Sequence, residues 1–482
     1  MKRLVTPENK KWWTLAAVSV GLFVIMLDNT VVNVALPSME RSLHLSLSEL
    51  EWVVAGYALT FAAFMLTGGK LADFLGRRLI FMVGLAIFTG ASLACGLAPN
   101  GAFLIGARVV QGLGGALMNP ATLSIITATF PPRQRGTAIG IWAGVSAMAL
   151  AIGPLVGGLL TEHVNWNWIF FVNVPIGVLG LIAIPMFIDE SRDTSHEQRL
   201  DLPGLAASAL GLFSLTYAFI EANTFGWTSP RIVGAFAVAA LALVAFGALE
   251  RHQRVPMLDL SLFRNRTFSG ANTAMLFVGL AMFGTFFYVS LYMQKVLLFS
   301  PVQAGASFLP MTVLVIVVAP LAGRLADRFG SRWLVGGGMA LITVMLFYYS
   351  RLGAHATFFT LLPALLIGGA GMALTMTPTT AAAMSAVAVD KAGVGSAVLN
   401  SARQVGGSLG IAVMGSIVAS GVSASLQAGD TQSAAFLHGF HDALRVGALL
   451  ALAGAVVATL AIRKIDHRHE AAPEAAPAVE VA

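Results

Sequence analysis

Long apolar runs alternate with short polar segments along the whole chain of 482 residues. Fourteen of these runs approach the length of about 20 residues that a helix needs to cross the hydrocarbon core of a bilayer. We number them spans 1 to 14, and their approximate bounds are 12–36, 49–69, 79–97, 102–127, 137–160, 168–188, 202–220, 232–249, 268–293, 303–322, 333–350, 357–380, 393–420 and 441–462. The pattern therefore predicts an all-α polytopic membrane protein with 14 transmembrane helices.

Composition indicates a membrane protein rather than a soluble one. Hydrophobic residues make up 57% of the chain and charged residues only 11%, whereas a soluble domain has about 25% charged residues. The single cysteine, Cys95, lies in an apolar run, so we expect neither a disulfide within the chain nor a thiol-ligated metal site. The first apolar run, from Trp12 to Leu36, is longer than the apolar region of a signal peptide, which predicts a retained first span.

The distribution of basic residues predicts the topology. With a cytoplasmic N-terminus, 22 of the 29 lysines and arginines fall in inner segments and 5 in outer segments, while Arg108 and Arg403 lie inside spans. Cytoplasmic loops of membrane proteins are enriched in positive charge. We therefore expect a multi-pass protein of the cell inner (cytoplasmic) membrane with both termini cytoplasmic. The net charge of +6 is then a topology signal rather than a surface for nucleic acid.

A charged, glycine-containing segment occurs twice, 254 residues apart. Gly69–Arg78 follows span 2, and Gly323–Arg332 follows span 10. Many secondary transporters are built from such internal repeats. The repeat predicts two six-helix halves with two extra inserted helices between them. The Ala-, Pro- and Glu-rich composition of the C-terminal segment predicts a disordered cytoplasmic tail. The predicted bounds of these four parts are 1–188, 189–262, 263–463 and 464–482.

Three further stretches stand out beside the repeated loop. They are Leu27–Pro37 in span 1, Arg108–Ala116 in span 4, and a set of small residues with one proline in span 5, namely Gly144, Gly153, Pro154, Gly157 and Gly158. Together with the loop, these stretches resemble the motifs of the major facilitator superfamily, and specifically of its fourteen-span drug:proton antiporter family. Span 13, the counterpart of span 5, has Gly406–Gly410 without a Gly-Pro pair, which confines the antiporter motif to the first half.

The resemblance implies a major facilitator fold and a proton-coupled antiporter that exports small amphipathic cationic or neutral compounds by alternating access. Such multidrug efflux gives antibiotic resistance. A dedicated exporter of a lipid, siderophore or antibiotic is an alternative, and a transport-dead membrane sensor is a third possibility. An enzyme is not expected, because the sequence has no nucleophile–base or metal-ligand spacing, and it has no Walker lysine pattern for ATP. The expected partners are a small-molecule substrate, protons and the lipid bilayer, with no cofactor, metal or nucleic acid, and the protein is expected to be monomeric.

Ionisable residues inside spans are the candidate coupling groups. Asp28 is the only acid that the pattern puts deep inside a span, where an ionised carboxylate is costly and usually functional. Arg108 in span 4 lies at nearly the same depth and could hold Asp28 ionised, with Gln111 one helical turn further on as a hydrogen-bond partner. A purely structural charge pair is the alternative. Arg403 in span 13 could face Asp28, bind polar substrate atoms or donate to backbone carbonyls.

The remaining candidates form three sets. Polar and aromatic residues of the spans are the substrate-cavity candidates, namely Asn33, Tyr57, Gln111, Trp142, Tyr288, Tyr292, Gln294, Asn400 and Arg403. The resemblance implies a cytoplasmic gate whose charge pairs break as the halves rock, formed by Gly69, Asp73, Gly76, Arg77, Arg78 and Asp327. It also implies that the antiporter-motif residues allow a tight contact between the halves. Ordinary packing, interfacial aromatic residues and solvated loop charges are the alternatives for these sets.

Overall fold

The computed structural model describes Thr6 and residues 9–192, 200–253, 256, 258–387 and 392–463. These residues contain 14 helices that are long and apolar enough to cross a membrane, which confirms the predicted number of spans and the all-α class. The predicted disordered tail, 464–482, lies outside the described residues.

The observed spans are longer than most of the predicted apolar runs. In order they are Lys10–Leu43, Leu47–Leu75, Arg77–Gly96, Gly101–Thr129, Arg133–His163, Trp168–Phe187, Leu202–Phe225, Pro230–His252, Arg266–Lys295, Pro301–Phe329, Ser331–Tyr349, Phe358–Ser385, Gly393–Gln427 and Gln432–Ala461. Two spans are interrupted near one end. Span 6 consists of Trp168–Phe171 and Asn173–Phe187, and span 10 consists of Pro301–Ser307 and Leu309–Phe329.

Successive spans run in opposite directions, so their ends form two groups, which we call the terminal end and the distal end. The terminal end carries the first and last described helix ends, where Lys10 pairs with Asp189 and the Arg463 amide donates to Thr267. The distal end carries the short connections that follow odd-numbered spans, from the one after span 1 to the one after span 13.

Spans 1–6 pack together as an N-terminal bundle and spans 9–14 as a C-terminal bundle. Small residues allow close backbone contact inside the N-terminal bundle, as they often do between membrane helices. A Cβ atom added at Gly114 of span 4 would lie 2.6 Å from the Phe88 nitrogen of span 3, and one at Gly84 would lie 2.8 Å from the Gly114 carbonyl oxygen. Spans 3 and 4 therefore leave no room for larger side chains at these crossings.

The two bundles meet mainly along three pairs of spans, which are 1 with 9, 2 with 13, and 5 with 10. Span 7 packs against span 2 of one bundle, span 13 of the other, and its own neighbour, span 8. The two inserted spans therefore lie beside the junction of the bundles.

Glycine ends the helix in both copies of the repeated loop. Gly76 follows span 2 with φ 125°, and Gly330 follows span 10 with φ 83°. Glycine adopts positive φ without the steric cost that a Cβ atom brings. The second glycine of the repeated motif is thus a requirement of the tight connection between two antiparallel spans.

Candidate functional site

A buried ion pair joins spans 1 and 4 inside the N-terminal bundle. Arg108 Nη1 donates to Asp28 Oδ2 at 2.5 Å, and both side chains are almost completely buried. Arg108 Nη1 also donates to Gln111 Oε1 at 2.7 Å, and Nε donates to the Val53 carbonyl at 3.0 Å. Spans 1, 2 and 4 together therefore fix the orientation of the guanidinium group through bonds strengthened by its charge.

The second oxygen of Asp28 accepts hydrogen bonds from two amide side chains. Gln111 Nε2 donates to Asp28 Oδ1 at 2.9 Å, and Asn173 Nδ2 approaches the same atom at 3.4 Å. Both amides also reach Ser92 Oγ, and the Cys95 thiol donates to Gln111 Oε1. All five side chains are buried. An ionised carboxylate accepts hydrogen bonds only, so this set of donors suits the charged form of Asp28.

Aromatic rings cover the guanidinium of Arg108. The Tyr57 ring centre lies 4.2 Å from Arg108 Cζ, and the Phe170 ring centre lies 5.7 Å from it. A cation over an aromatic face is attracted by the negative face of the ring. The Tyr57 hydroxyl has no hydrogen-bond partner among the described residues. The ring of Tyr57 is therefore the part of this side chain that contacts the ion pair.

Sequence reasoning brought together Asp28, Arg108 and Gln111 but missed the neutral members of the network. Ser92, Cys95 and Asn173 carry no charge, and single neutral residues in apolar runs give no signal of a shared site. Asn173 begins the second helix of span 6, directly after the interruption at Val172. A polar residue at a helix interruption is the signal that could have singled it out.

Asp28 is not the only buried acid of the spans. Glu51 in span 2 has an exposed fraction of 2%, and Glu250 in span 8 has one of 4%. Glu51 Oε1 accepts a hydrogen bond from Tyr288 Oη at 2.7 Å. Glu51 looked like a loop-end residue because it lies near the start of its span, beside the capping residue Glu49. Its burial comes from spans 9 and 13, which are distant in the sequence.

Arg403 does not contact Asp28 in this structure. Its Nη2 atom donates to Asn400 Oδ1 at 3.3 Å, one turn away on span 13, and its side chain is partly buried. Among the described residues no carboxylate forms an ion pair with Arg403. The Asn400 amide in turn donates to the Ser396 carbonyl at 3.1 Å. Arg403 is therefore a partly buried cation without an acidic partner in the described part of the chain.

The other substrate-cavity candidates lie at several separate places. Trp142 Nε1 donates to Thr122 Oγ1 at 3.0 Å, between spans 5 and 4. Tyr292 donates to the Gly353 carbonyl at 2.6 Å and stacks on Phe440, inside the C-terminal bundle. Tyr288 contacts Glu51, and the Gln294 side chain lies at the distal contact described next. The Asn33 side chain donates to the Asn29 carbonyl of its own helix at 3.5 Å.

Polar contacts between spans 1 and 9 and between spans 5 and 10 lie at the distal end. They link one bundle to the other, and each involves a side chain. The contacts are Ser290 Oγ to the Asn33 carbonyl at 2.9 Å, Gln294 Nε2 to the Val34 carbonyl at 2.9 Å, Lys295 Nζ to Glu40 Oε1 at 2.6 Å, and the Val302 amide to Glu162 Oε2 at 2.8 Å. These bonds hold the distal ends of the two bundles together.

Residues of the antiporter motif face three different surroundings. A Cβ atom added at Gly153 would overlap with Thr30 of span 1, and one added at Gly157 would overlap with the Val31 carbonyl of the same span. At Gly158 it would overlap with the Pro301 carbonyl of the other bundle. A Cβ atom added at Gly305 of span 10 would in turn overlap with the Pro154 carbonyl of span 5. At Gly144, in contrast, a Cβ atom would meet nothing within 4 Å.

The charged gate candidates make contacts within the N-terminal bundle. Asp73 Oδ1 pairs with Arg77 at 2.9 Å, one turn apart in the sequence. Arg78 approaches Glu190 at 3.8 Å, and its amide donates to Glu190 Oε1 at 3.0 Å.

The other gate candidates also contact their own bundle or no charged partner. A Cβ atom at Gly69 would lie 3.5 Å from Pro120 Cβ, and one at Gly76 would lie 2.6 Å from the Glu190 carboxyl group. Asp327, the counterpart of Asp73, forms no ion pair with another described residue. Within the described chain, these gate candidates thus form no charge pair between the two bundles.

Fourteen candidate membrane-spanning helices, twelve of them in two bundles with polar contacts at the distal end, together with a buried ion pair, are typical of a multi-pass membrane transporter. The fold is similar to the crystal structure of a bacterial homologue of the human lysosomal transporter Spinster in an inward-facing, unoccupied conformation. The TM-score is 0.68 at 18% identity, covering 95% of this chain and 98% of that one. It is also similar to the peptide transporter POT in complex with sulfate, with a TM-score of 0.66 at 14% identity, covering 93% and 95%.

The family model of the Major Facilitator Superfamily matches residues 18–411, and the chain belongs to this superfamily. A tetracenomycin C resistance and export protein of Streptomyces glaucescens is 38% identical over 421 residues, covering 86% of this chain and 77% of that protein. A puromycin resistance protein of Streptomyces alboniger is 37% identical over 479 residues, covering 97% and 94%. The multidrug resistance protein Stp of Mycobacterium tuberculosis H37Rv is 37% identical over 417 residues, covering 86% and 77%. The relatives of the chain thus include resistance and export transporters.

Proposed function

We propose that the protein is a proton-coupled antiporter that exports small amphipathic cationic or neutral compounds by alternating access. The observation that carries this proposal is the buried pair of Asp28 and Arg108, which has an acid where a bilayer-spanning helix would otherwise be apolar. Ionisable residues in such positions are costly and usually functional. The resistance and export relatives support the direction of transport.

The ion pair can exchange a proton for a substrate through the charge of Asp28. Arg108 and the two amide donors stabilise the ionised carboxylate. A proton on Asp28 removes the attraction to Arg108, because a neutral carboxyl no longer compensates the guanidinium. A cationic substrate can compete for the same carboxylate. Protonation and substrate binding at Asp28 are then mutually exclusive, as antiport requires.

Arg403 and Asn400 are the candidates for polar contact with substrate from the C-terminal bundle. Arg403 has one hydrogen bond and no acidic partner among the described residues. Its charge raises the potential of a cavity shared with Asp28, which favours neutral and singly charged compounds over more highly charged cations. Asn33, Tyr57 and Trp142 remain candidates from the N-terminal bundle.

Alternating access follows from the way the bundles are joined. The basic residues favour a cytoplasmic terminal end, which makes the distal end extracytoplasmic. The distal contacts then close the outer side of the protein in this conformation. We infer that residues 1–188 and 263–463 move as two six-helix halves, with 189–262 as inserted helices. In the outward-open state the distal bonds break, and the helix ends that carry Asp73 and Asp327 approach the opposite half.

A dedicated antibiotic exporter is the second candidate function. It is favoured by relatives named for single compounds, such as the tetracenomycin C and puromycin resistance proteins. The two candidates differ in the number of compounds exported rather than in the mechanism at Asp28.

Growth inhibition and proton release together test the proposal. A host lacking its own efflux pumps expresses the wild type or Asp28→Asn and is challenged with a panel of cationic, neutral and anionic compounds. Purified protein in proteoliposomes then reports substrate-driven proton release through a pH-sensitive dye. We expect resistance and proton release from the wild type, and neither from Asp28→Asn.

Asp189→Asn is the matched control, because Asp189 is an exposed acid that pairs with Lys10 at the terminal end. It should behave like the wild type in both assays. If Asp28→Asn still releases protons when substrate is added, another residue couples proton and substrate transport. Resistance to one compound alone would favour the dedicated exporter.

A further inference from the structure

Glu51 occupies the junction between the bundles near the distal end. It belongs to span 2 of the N-terminal bundle, yet its carboxyl group contacts the C-terminal bundle. Tyr288 of span 9 donates to Glu51 Oε1 at 2.7 Å. A Cβ atom at Gly415 of span 13 would overlap with the same oxygen. Opening the distal end therefore separates Glu51 from both of its covering helices.

The surroundings of Glu51 favour a neutral carboxyl group. Its Oε2 atom is buried and has no hydrogen-bond partner among the described residues. Next to it lies an apolar cluster of Ala55, Ile220 and Ala412, from spans 2, 7 and 13. An ionised carboxylate in such a place is costly unless it is paired and hydrogen-bonded. The single hydrogen bond from Tyr288 does not compensate a buried negative charge, so the closed junction favours the protonated, neutral form of Glu51.

The charged groups near Glu51 do not compensate a negative charge. Span 7 contributes Glu221, another acid, which accepts a hydrogen bond from Trp52 Nε1 at 3.2 Å. Span 9 contributes Tyr288, and span 13 contributes glycine and alanine at the contact. Span 4 contributes Arg108, but its guanidinium is already bonded to Asp28 and Gln111. No cationic side chain of the described chain forms an ion pair with Glu51.

We propose that Glu51 is a proton-binding site of the distal gate, protonated while spans 9 and 13 cover it and ionised once the distal end opens to water. The proposal rests on the alternating access described above, but it adds a second acid with a different task. Asp28 is paired with a cation and suited to exchange with substrate. Glu51 is paired with no cation and is covered only when the gate is closed.

The sign of the pH effect follows from the two environments. The closed gate holds the proton on Glu51 more tightly than the open, water-filled gate does. Low pH at the distal side therefore favours closure, and rising pH favours opening. A single linked proton changes the ratio of closed to open molecules by at most about tenfold per pH unit. Protonation from the outside thus drives the antiporter from its outward-open state toward its inward-open state.

Distances across the distal end test this proposal directly. Cysteines that replace Ser42, in the last turn of span 1, and His355, in the connection after span 11, carry spin labels in the full-length protein; both positions are exposed at the distal end. The thiol of Cys95 is buried, and a sample without introduced cysteines measures its residual labelling. In the wild type we expect the longer distance to gain population as the pH rises from about 5 to about 9, across and above the ordinary range of a carboxyl group. Glu51→Gln should keep the closed distance over the whole range.

Two further variants separate the roles of neighbouring groups. Glu221→Gln, which changes the other acid of the junction, should respond to pH as the wild type does. Tyr288→Phe removes the hydrogen bond across the gate, so the closed fraction should fall at every pH while the pH response remains. If Glu51→Gln still opens with rising pH like the wild type, the proton site is elsewhere.

Transport in the same preparation separates this proposal from the proposed function. If the wild type exports substrate but the distance between its distal labels does not change with pH, the role of Glu51 is wrong and the proposed antiporter function stands. A wild type that exports nothing, but whose distal distance follows pH through Glu51, overturns the antiporter and leaves the proton site.

Discussion

Replacing Arg108 by glutamine leaves the Asp28 carboxylate buried with only the amides of Gln111 and Asn173 as donors. The variant loses the bond to Asp28 at 2.5 Å, the bond to the Val53 carbonyl, and the cation over the Tyr57 ring. Removing one partner of a buried ion pair costs about 3–5 kcal/mol, because the other charge is left uncompensated. We therefore expect Arg108→Gln to lower the free energy of unfolding by about that amount.

The reciprocal change should cost less. In Asp28→Asn, Arg108 keeps its bonds to Gln111 Oε1 and the Val53 carbonyl as well as the contact with the Tyr57 ring. The double variant contains neither charge, and its amides can bond to each other. The double variant should therefore lose less free energy of unfolding than the two single variants lose together. The difference should be about 2 kcal/mol or more, because no uncompensated charge is left.

The free energy of unfolding is measured for the wild type, the two single variants and the double variant under identical conditions. Each is unfolded by a denaturing detergent in mixed micelles and followed by tryptophan fluorescence. Lys10→Gln and Asp189→Asn supply a matched cycle at an exposed ion pair, where the coupling should be less than about 1 kcal/mol. Additivity of the Asp28 and Arg108 changes within about 0.5 kcal/mol would show that the two side chains act independently. That result would refute the ion pair as the centre of the site.

Three other predictions use variants with internal controls. Tyr57→Leu should lower stability by about 0.5–2 kcal/mol through loss of the ring over Arg108, whereas Tyr57→Phe should match the wild type because the hydroxyl has no described partner. Asp73→Asn breaks a partly exposed pair with Arg77, so stability should change by less than about 1 kcal/mol, while labels across the terminal end should report a more open population. Gly158→Ala should hinder distal closure by overlap with span 10, and Gly144→Ala should not.

Each of these predictions has a contrary outcome that the same measurement can give. Equal stability of the Leu and Phe variants at Tyr57 would remove the aromatic contribution to the site. An unchanged distance distribution in Asp73→Asn would leave Asp73 as a topology charge rather than part of a latch. Distal distances that are the same for the two alanine variants would show that the bundles tolerate a methyl group at the Gly158 contact.

The number of spans was predictable because hydrophobicity is a local property of the chain. The ends of the spans were less predictable. Span 1 continues past Pro37 to Leu43, and span 14 begins at Gln432, about nine residues before its apolar run. Polar side chains can continue a helix beyond the hydrocarbon core, where water can reach them. Apolar content alone therefore marks the membrane-embedded part of a helix rather than its full length.

The charged part of the site was predictable for a related reason. Charges are rare within apolar runs, so Asp28 and Arg108 were conspicuous, and Gln111 followed from helical spacing. Glu51 was not, because its burial depends on Tyr288 and Gly415, which lie more than 200 positions away in the chain. Neutral Asn173 could have been singled out only by its place at the interruption of span 6. Contacts between distant spans decide which polar residues share a site, and a single sequence does not contain those distances.

The complete enclosure of Asp28 also bears on the tightness of the membrane. A carboxylate in the middle of a bilayer-spanning protein would short-circuit the proton gradient if water reached it from both sides. Here its exposed fraction is 0%, and its oxygens are taken by Arg108, Gln111 and Asn173. In this conformation neither aqueous phase reaches the Asp28 side chain. A cell could therefore keep many idle copies of this protein in its membrane without a steady leak of protons.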